Sequence, residues 1–184
     1  MTEIDSFCQI IRKRSEEHKI AIKLLYESNL YGQVISILRQ ELDSMVRVIY
    51  LLDKDLNTRK YLINQTLNNE KWTIPNSRSK ITDRQMVDLA DNFHGWSNSV
   101  YKLGCAFIHL SPLMDYYNTN PFDYLDIKEN LDIIQHLNRY HNFPINYDLN
   151  MTNIIPLLIP VFNKVSDNLE YYITELENNI IGVN

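Results

Sequence analysis

An apolar seam in the second quarter of the chain constrains the fold more than any other feature of the sequence. Its members recur every three or four residues: Val34, Leu38, Leu42, Met45, Ile49 and Leu52. That spacing places them on one face of an α-helix. Only 4 glycines occur in 184 residues, which argues against a sheet protein rich in tight turns. The sequence therefore predicts an all-α chain.

The length and the pattern predict one domain, spanning residues 1–184, built as an antiparallel helical bundle of about five main helices. Capping residues and apolar spacing predict helices at 2–28, 33–52, 58–67, 82–94, 96–110, 127–141 and from 160 onward. The start signals include Thr2 with Asp5 near the capping position and two capping boxes, which pair Thr82 with Gln85 and Asp126 with Glu129. The segment at about 68–81 is predicted to be a polar surface loop.

The same periodicity predicts which side chains face the core. On the helix at 127–141, the inward residues are expected to be Ile127, Leu131, Ile134 and Leu137. On the helix at 33–52, the residues expected to face away are Ser36, Asp43 and Arg47. Glu41 is expected either to orient a basic residue of the helix at 96–110 or, with Arg39, to be exposed beside the seam. His136 and His141 are predicted to lie on the surface.

Charge is divided unequally along the chain. Residues 113–184 carry three basic side chains, Lys128, Arg139 and Lys164, against ten acidic ones, although the net charge of the whole chain is only -5. Basic residues cluster between 54 and 84 and in the first helix. These clusters either meet phosphate groups or form ordinary solvated faces.

Other patterns narrow the class of protein. No apolar run approaches the ~20 residues that span a bilayer, and the charged N-terminus does not resemble an export signal. The two cysteines lack metal-site spacing, so a cytoplasmic protein without a metal or cofactor and without membrane contact is expected. Glycine-rich phosphate loops and nucleophile elbows are missing from the sequence. The aromatic residues of 115–124, together with Trp72, either stack on bases or cover an end of the bundle.

One helix combines an apolar face with reactive side chains. In the predicted helix at 96–110, the projection at ~100° per residue places four polar residues together, opposite the apolar face: Asn98, Lys102, Cys105 and His109. A lysine that holds an anion and a histidine that titrates near neutral pH are what phosphate chemistry requires. A histidine that simply packs at a helix end is the alternative interpretation.

The chain resembles the HEPN superfamily, particularly its phage-defence and abortive-infection branches. The resemblance lies in the long two-helix opening "AIKLLYESNLYGQVISILRQELDSMVRVIYLL" and the later helix "SVYKLGCAFIHLSP". It implies a dimeric helical bundle, and in active members a metal-independent ribonuclease with an R-x4-6-H motif at the dimer interface. His109 takes the position of the motif histidine and Lys102 that of its arginine. The literal match from Arg12 to His18 lies in the first helix and is interpreted as a coincidence.

Two functional hypotheses follow. In the first, the chain binds or cleaves RNA: His109 moves protons, Lys102 holds phosphate, and Asn98 positions the lysine or the substrate. This hypothesis also expects a homodimer through the helix at 96–110. In the second, the chain is a non-catalytic module that binds a ligand or a protein partner, and the polar face of that helix is packed against another helix or subunit. Exposure discriminates between them, because a working Lys102 and His109 must line a cleft.

Overall fold

The computed structural model describes residues 2–109, 112–180 and 182, and these residues form an all-α bundle, as predicted. Its α-helices are α1 (Glu3–Glu27), α2 (Tyr31–Leu52), α3 (Leu56–Leu67), α4 (Asp83–His94), α5 (Ser97–Ile108), α6 (Ile127–His141), the short α7 (Met151–Ile154) and α8 (Leu158–Glu177). Three 3-10 segments cover Pro112–Asp115, Pro121–Tyr124 and Ile155–Leu157. In the described part of the chain, seven helices have 12 residues or more, which is slightly above the expected number.

Local sequence signals set the helix boundaries. Both predicted capping boxes are present, Thr82 with Gln85 and Asp126 with Glu129, and Thr2 forms a third with Asp5. Each joins the N-cap side chain to the third helical residue and back. Gly95 ends α4 with a φ of +64°, a left-handed conformation that glycine adopts without strain. This turn separates α4 from α5.

Helix α2 is the centre of the bundle and packs against α1, α4, α5 and α8. Its predicted seam is buried, but so is the opposite side of the helix. Ser36, expected to face away, is buried and donates its hydroxyl to the carbonyl oxygens of Gly32, at 3.0 Å, and Phe107, at 3.3 Å. The prediction for Ser36 was wrong because neighbouring helices cover α2 on several sides.

The side of helix α6 that faces the core differs from the predicted one. Leu137 is buried as expected, together with Ile133 and His136, whereas Ile127 is 81% exposed and Leu131 is 50% exposed. The inward prediction for Ile127 and Leu131 was therefore wrong, as was the surface prediction for His136. The helix makes its core contact through the 133/137 edge of its apolar stripe, which leaves the 127/131 edge without a partner in the described structure.

The polar segment at 68–81 is an ordered, hairpin-like loop. An isolated antiparallel bridge joins Thr73 to Lys80, and the amide of Ile81 donates to the carbonyl of Trp72 at 3.0 Å. Trp72 is buried, and its indole N–H donates to the hydroxyl of Thr66 at 2.8 Å. Because the ring is covered, Trp72 is not placed to stack on a base.

The aromatic segment after α5 covers an end of the bundle. The amide of Gly32 donates to the hydroxyl of Tyr116 at 3.2 Å, and the ring of Tyr116 packs against Phe107. Tyr117 donates to the carbonyl of Asn29 at 2.9 Å. These contacts tie the segment to the turn between α1 and α2.

In the described residues, no helix combines the length and the apolarity that a bilayer crossing requires.

Candidate functional site

Lys102 forms an ion pair with a carboxylate and does not face an open cleft. The Nζ of Lys102 lies 2.7 Å from Oε1 of Glu129 on α6, and this contact lowers the pKa of Glu129. Asn98 and Lys102 line a cavity of only about 20 Å³ between α5 and α6. That volume holds about one water molecule, so a phosphate group does not fit there.

His109 lies apart from this small cavity. It is exposed and follows the last residue of α5, seven positions after Lys102 and thus about 10 Å further along the helix axis. The backbone amide of Asn98 donates to the carboxylate of Asp91 at 3.0 Å. The structure therefore does not bring Asn98, Lys102 and His109 into one site within the described protomer. Their catalytic role, and the dimer that would complete it, stay predictions.

A different side of α5, at Gly104, packs closely on α2. A Cβ added at Gly104 would lie 2.5 Å from Cβ and 2.8 Å from Cγ of Arg39. The guanidinium of Arg39 lies 4.2 Å from the ring centre of Tyr101 and also contacts Cys105. The expectation that Arg39 is exposed beside the seam was wrong, because glycine at 104 lets its side chain lie buried between the two helices.

We expect Gly104→Ala to destabilise the protein by about 1–3 kcal/mol, because the new methyl group would overlap Cβ and Cγ of Arg39, the atoms nearest to the backbone of α2. Chemical denaturation measures this loss. Ser99→Ala, at a half-buried position of the same helix, is the control and should change stability by less than about 0.5 kcal/mol. Equal stability of the two variants would contradict the close α2–α5 packing.

The literal motif match in α1 does not form a site. Arg12 points to α8, where it pairs with both Glu170 and Glu177. His18 points to α2, where its Nδ1 lies 2.6 Å from Oε2 of Glu41. Because their partners lie on different helices, Arg12 and His18 do not act on a common group.

A large cavity lies at another face of α2, between α1, α2 and the 68–81 loop. We call it the basic cleft. It has a volume of about 560 Å³ and four basic residues against two acidic ones. Its lining residues are Phe7, Ile10, Ile11, Arg14, Ser44, Arg47, Thr66, Asn69, Glu70, Lys71, Trp72, Lys80, Ile81 and Asp83.

The arginines of the basic cleft are held in place by carboxylates. Arg47 lies 3.1 Å from Asp43 and 3.0 Å from Asp83. Arg14 lies 3.6 Å from Asp43, and its Nη1 donates to the hydroxyl of Ser44 at 3.2 Å. This network fixes the orientation of two guanidinium groups at the wall of the cleft.

The lysines of the basic cleft are not engaged in this way. Lys71 and Lys80 are exposed on the 68–81 loop, and neither forms an ion pair with a described residue. The bridge between Thr73 and Lys80 holds the two arms of the loop together. The cleft therefore offers two exposed ammonium groups that lack a described carboxylate partner, beside two guanidinium groups that are paired with carboxylates. Clustered cations of this kind attract phosphate groups.

A second cluster surrounds Lys164 on α8. Its Nζ lies 2.8 Å from the ring centre of Tyr140 and 4.6 Å from that of Trp96, and the amine has no hydrogen-bond partner among the described residues. Burial lowers the pKa of Lys164 to about 8, and nearby Arg139 contributes to the shift. The ammonium is held by aromatic faces instead of by carboxylates.

Histidines complete the Lys164 cluster. Burial lowers the pKa of His136 to about 3, with Lys164 adding to the shift, and neither ring nitrogen of His136 has a described partner. Burial also lowers the pKa values of His94 and His141. The amine and the imidazole nitrogens of Lys164 and His136 have almost no solvent contact, so this cluster offers no room for a ligand.

Comparison with known proteins does not assign the chain to a family. No family description, curated protein or solved structure matches it. Among the described residues, no group of three or more histidine, cysteine, aspartate or glutamate side chains is arranged to hold a metal ion. The functional argument therefore rests on the geometry of the chain.

The sequence shows basic clusters in the first helix and at residues 54–84, but it does not show that they meet. The structure brings Arg14 of the first cluster and Arg47 of α2 to the same cavity as Lys71 and Lys80 of the second. A sequence signal for this is present in the loop, where Trp72 follows Lys71 inside a polar segment. A large aromatic residue in a polar segment indicates that the segment folds back on the bundle.

Proposed function

We propose that this chain is a non-catalytic RNA-binding module whose basic cleft holds the phosphate backbone. The observation that carries the proposal is the placement of Lys71 and Lys80, which lack described carboxylate partners, beside Arg14 and Arg47 in a cavity of about 560 Å³. The excess of basic groups supplies the electrostatic attraction that dominates binding to nucleic acid.

The side chains that line the basic cleft favour recognition of the nucleic-acid backbone over recognition of bases. Trp72 is buried, and Arg47 lies 5.2 Å from its ring centre, so that ring is not offered for stacking. Because Arg14 and Arg47 are paired with Asp43 and Asp83, the cations left for phosphate oxygens are the ammonium groups of Lys71 and Lys80, which act as point charges. Binding should therefore depend weakly on base sequence.

The pairing of Lys102 with Glu129 supports the non-catalytic form of the RNA hypothesis. A lysine that clamps phosphate needs room for the phosphate, and the cavity beside Lys102 has a volume of about 20 Å³. The catalytic alternative still makes a distinct prediction, which is metal-independent RNA cleavage in the presence of a chelator that is lost in His109→Ala. Such cleavage would replace the binding proposal with the ribonuclease hypothesis.

Binding of a fluorescent, mixed-sequence RNA to the full chain tests the proposal by anisotropy. We expect Lys71→Glu/Lys80→Glu to weaken binding by about tenfold or more, equivalent to ~1.4 kcal/mol. The matched control is Lys19→Glu/Lys23→Glu, which makes the same change in net charge at exposed positions of α1 outside the cleft. Equal weakening by both pairs, or no binding by the wild type, would refute a specific role for the cleft.

A further inference from the structure

A second large groove lies in the acidic C-terminal part of the chain. We call it the acidic groove. It has a volume of about 510 Å³ and lies between the 3-10 segment at 121–124, α6 and the loop before α7. Its lining residues are Asn120, Phe122, Asp123, Asn130, Ile134, Tyr147, Asp148, Leu149 and Asn150, so both of its charged residues are acidic.

Two side-chain amides of the acidic groove are engaged within the chain. The side-chain amide of Asn120 donates to the carbonyl of Leu149 at 3.0 Å and to Oδ1 of Asp123 at 2.9 Å, and that of Asn130 donates to the carbonyl of Phe122 at 3.1 Å. The side-chain oxygen of Asn130, in contrast, has no donor among the described residues. Asp123 and Asp148 are exposed and form no ion pair with a described residue. The groove therefore presents two carboxylates without a cationic partner, which favours a cationic ligand.

Apolar side chains extend the acidic groove along α6. Ile127 and Leu131 lie on the same helix face as the lining residues Asn130 and Ile134, at spacings of three and four residues. Ile127 is 81% exposed, Leu131 is 50% exposed, and Tyr147 is 53% exposed. Grouped exposed apolar side chains next to polar ones are typical of protein interaction sites.

We propose that the acidic groove docks a basic, amphipathic segment of a partner protein. Lysine or arginine side chains of that segment pair with Asp123 and Asp148, and its apolar side chains cover Ile127 and Leu131. Charge complementarity carries the choice of partner, because the described groove has carboxylates and no basic group. This surface is separate from the basic cleft, so the two ends of the chain attract partners of opposite charge.

A synthetic helical peptide of lysine and leucine, with the leucines on one face, serves as the probe. We expect the full chain to bind it and Asp123→Asn/Asp148→Asn to weaken that binding by about tenfold. Ile127→Ser/Leu131→Ser should weaken it as well, since these side chains are exposed and their replacement leaves the core intact. The control is Glu16→Gln/Asp167→Asn, which removes the same charge at exposed positions outside the groove and should bind like the wild type.

Three results would overturn the proposal. The first is the absence of peptide binding by the wild type. The second is equal weakening by the control pair, which would show attraction to net charge only. The third is self-association of the wild type that Ile127→Ser/Leu131→Ser abolishes, which would assign the surface to a second copy of this chain. Thermal melting of each variant confirms that the compared chains are folded.

Discussion

Glu41→Ala is expected to lower the free energy of unfolding by about 3–5 kcal/mol, the largest effect of any single substitution considered for this chain. Glu41 is fully buried on α2 and accepts two hydrogen bonds from α1. Its Oε1 accepts from the hydroxyl of Ser15 at 2.5 Å, and its Oε2 lies 2.6 Å from Nδ1 of His18. Removing the carboxylate leaves both α1 groups buried without their partner.

Urea denaturation of the wild type and Glu41→Ala measures this effect. The matched control is Glu16→Ala, since Glu16 is an exposed glutamate on α1 with no described ion pair, and its loss should cost less than about 0.5 kcal/mol. The double variant Glu41→Ala/His18→Leu should recover part of the stability, because the stranded imidazole is then removed as well. A cost for Glu41→Ala as small as that of the control would contradict the buried network.

The second large effect is a loss of stability on acidification that depends on His136. Burial keeps this imidazole neutral in the fold, with its pKa lowered from 6.5 to about 3. Between these values the unfolded chain binds a proton that the folded chain does not, so stability rises with pH through this window and falls as the pH is lowered. At about pH 4.5 the contribution from His136 is a loss of roughly 2–3 kcal/mol relative to neutral pH.

His136→Phe isolates this contribution, because phenylalanine keeps an aromatic ring between Trp96 and Tyr140 but does not titrate. Unfolding free energies measured at several pH values between about 4.5 and 7.5 should fall less steeply for this variant than for the wild type. The same substitution at the exposed His109 is the control and should keep the wild-type slope. Identical slopes for wild type and His136→Phe would contradict the burial of a neutral imidazole.

Much of the local structure was predictable from the sequence because it depends on neighbouring residues. Capping boxes such as Thr82 with Gln85 are read from four consecutive positions, and the structure places α4 where this signal predicts it. The turn at Gly95 is equally local. The all-α class follows from periodicity, since the spacing of Val34 and Leu38 already fixes one buried face.

Features that depend on contacts distant in sequence were not predictable. Glu41 was expected to be exposed or to reach α5, yet it is buried against α1, because only the assembled bundle shows which polar groups meet. The sequence predicts His136 on the surface, but the rotation of α6 about its axis places the imidazole against the ring of Trp96. The burial of Arg39 depends on the missing side chain of Gly104, a relation that spans two helices.

The candidate site was only partly predictable for the same reason. The basic clusters were visible in the sequence, but their meeting in one cleft depends on the 68–81 loop folding back through Trp72. The pairing of Lys102 with Glu129 was not visible, because it depends on how α6 packs beside α5.

The salt dependence of RNA affinity tests the central claim most directly. If Lys71 and Lys80 contact phosphates, replacing both with alanine should reduce the magnitude of the slope of log affinity against log salt concentration by about 1.4. Each phosphate contact on a single strand contributes ~0.7 to this slope, and two contacts are lost. The wild type and the Lys19→Ala/Lys23→Ala control should share the steeper slope. Equal slopes for all three proteins would show that the basic cleft does not hold the RNA backbone.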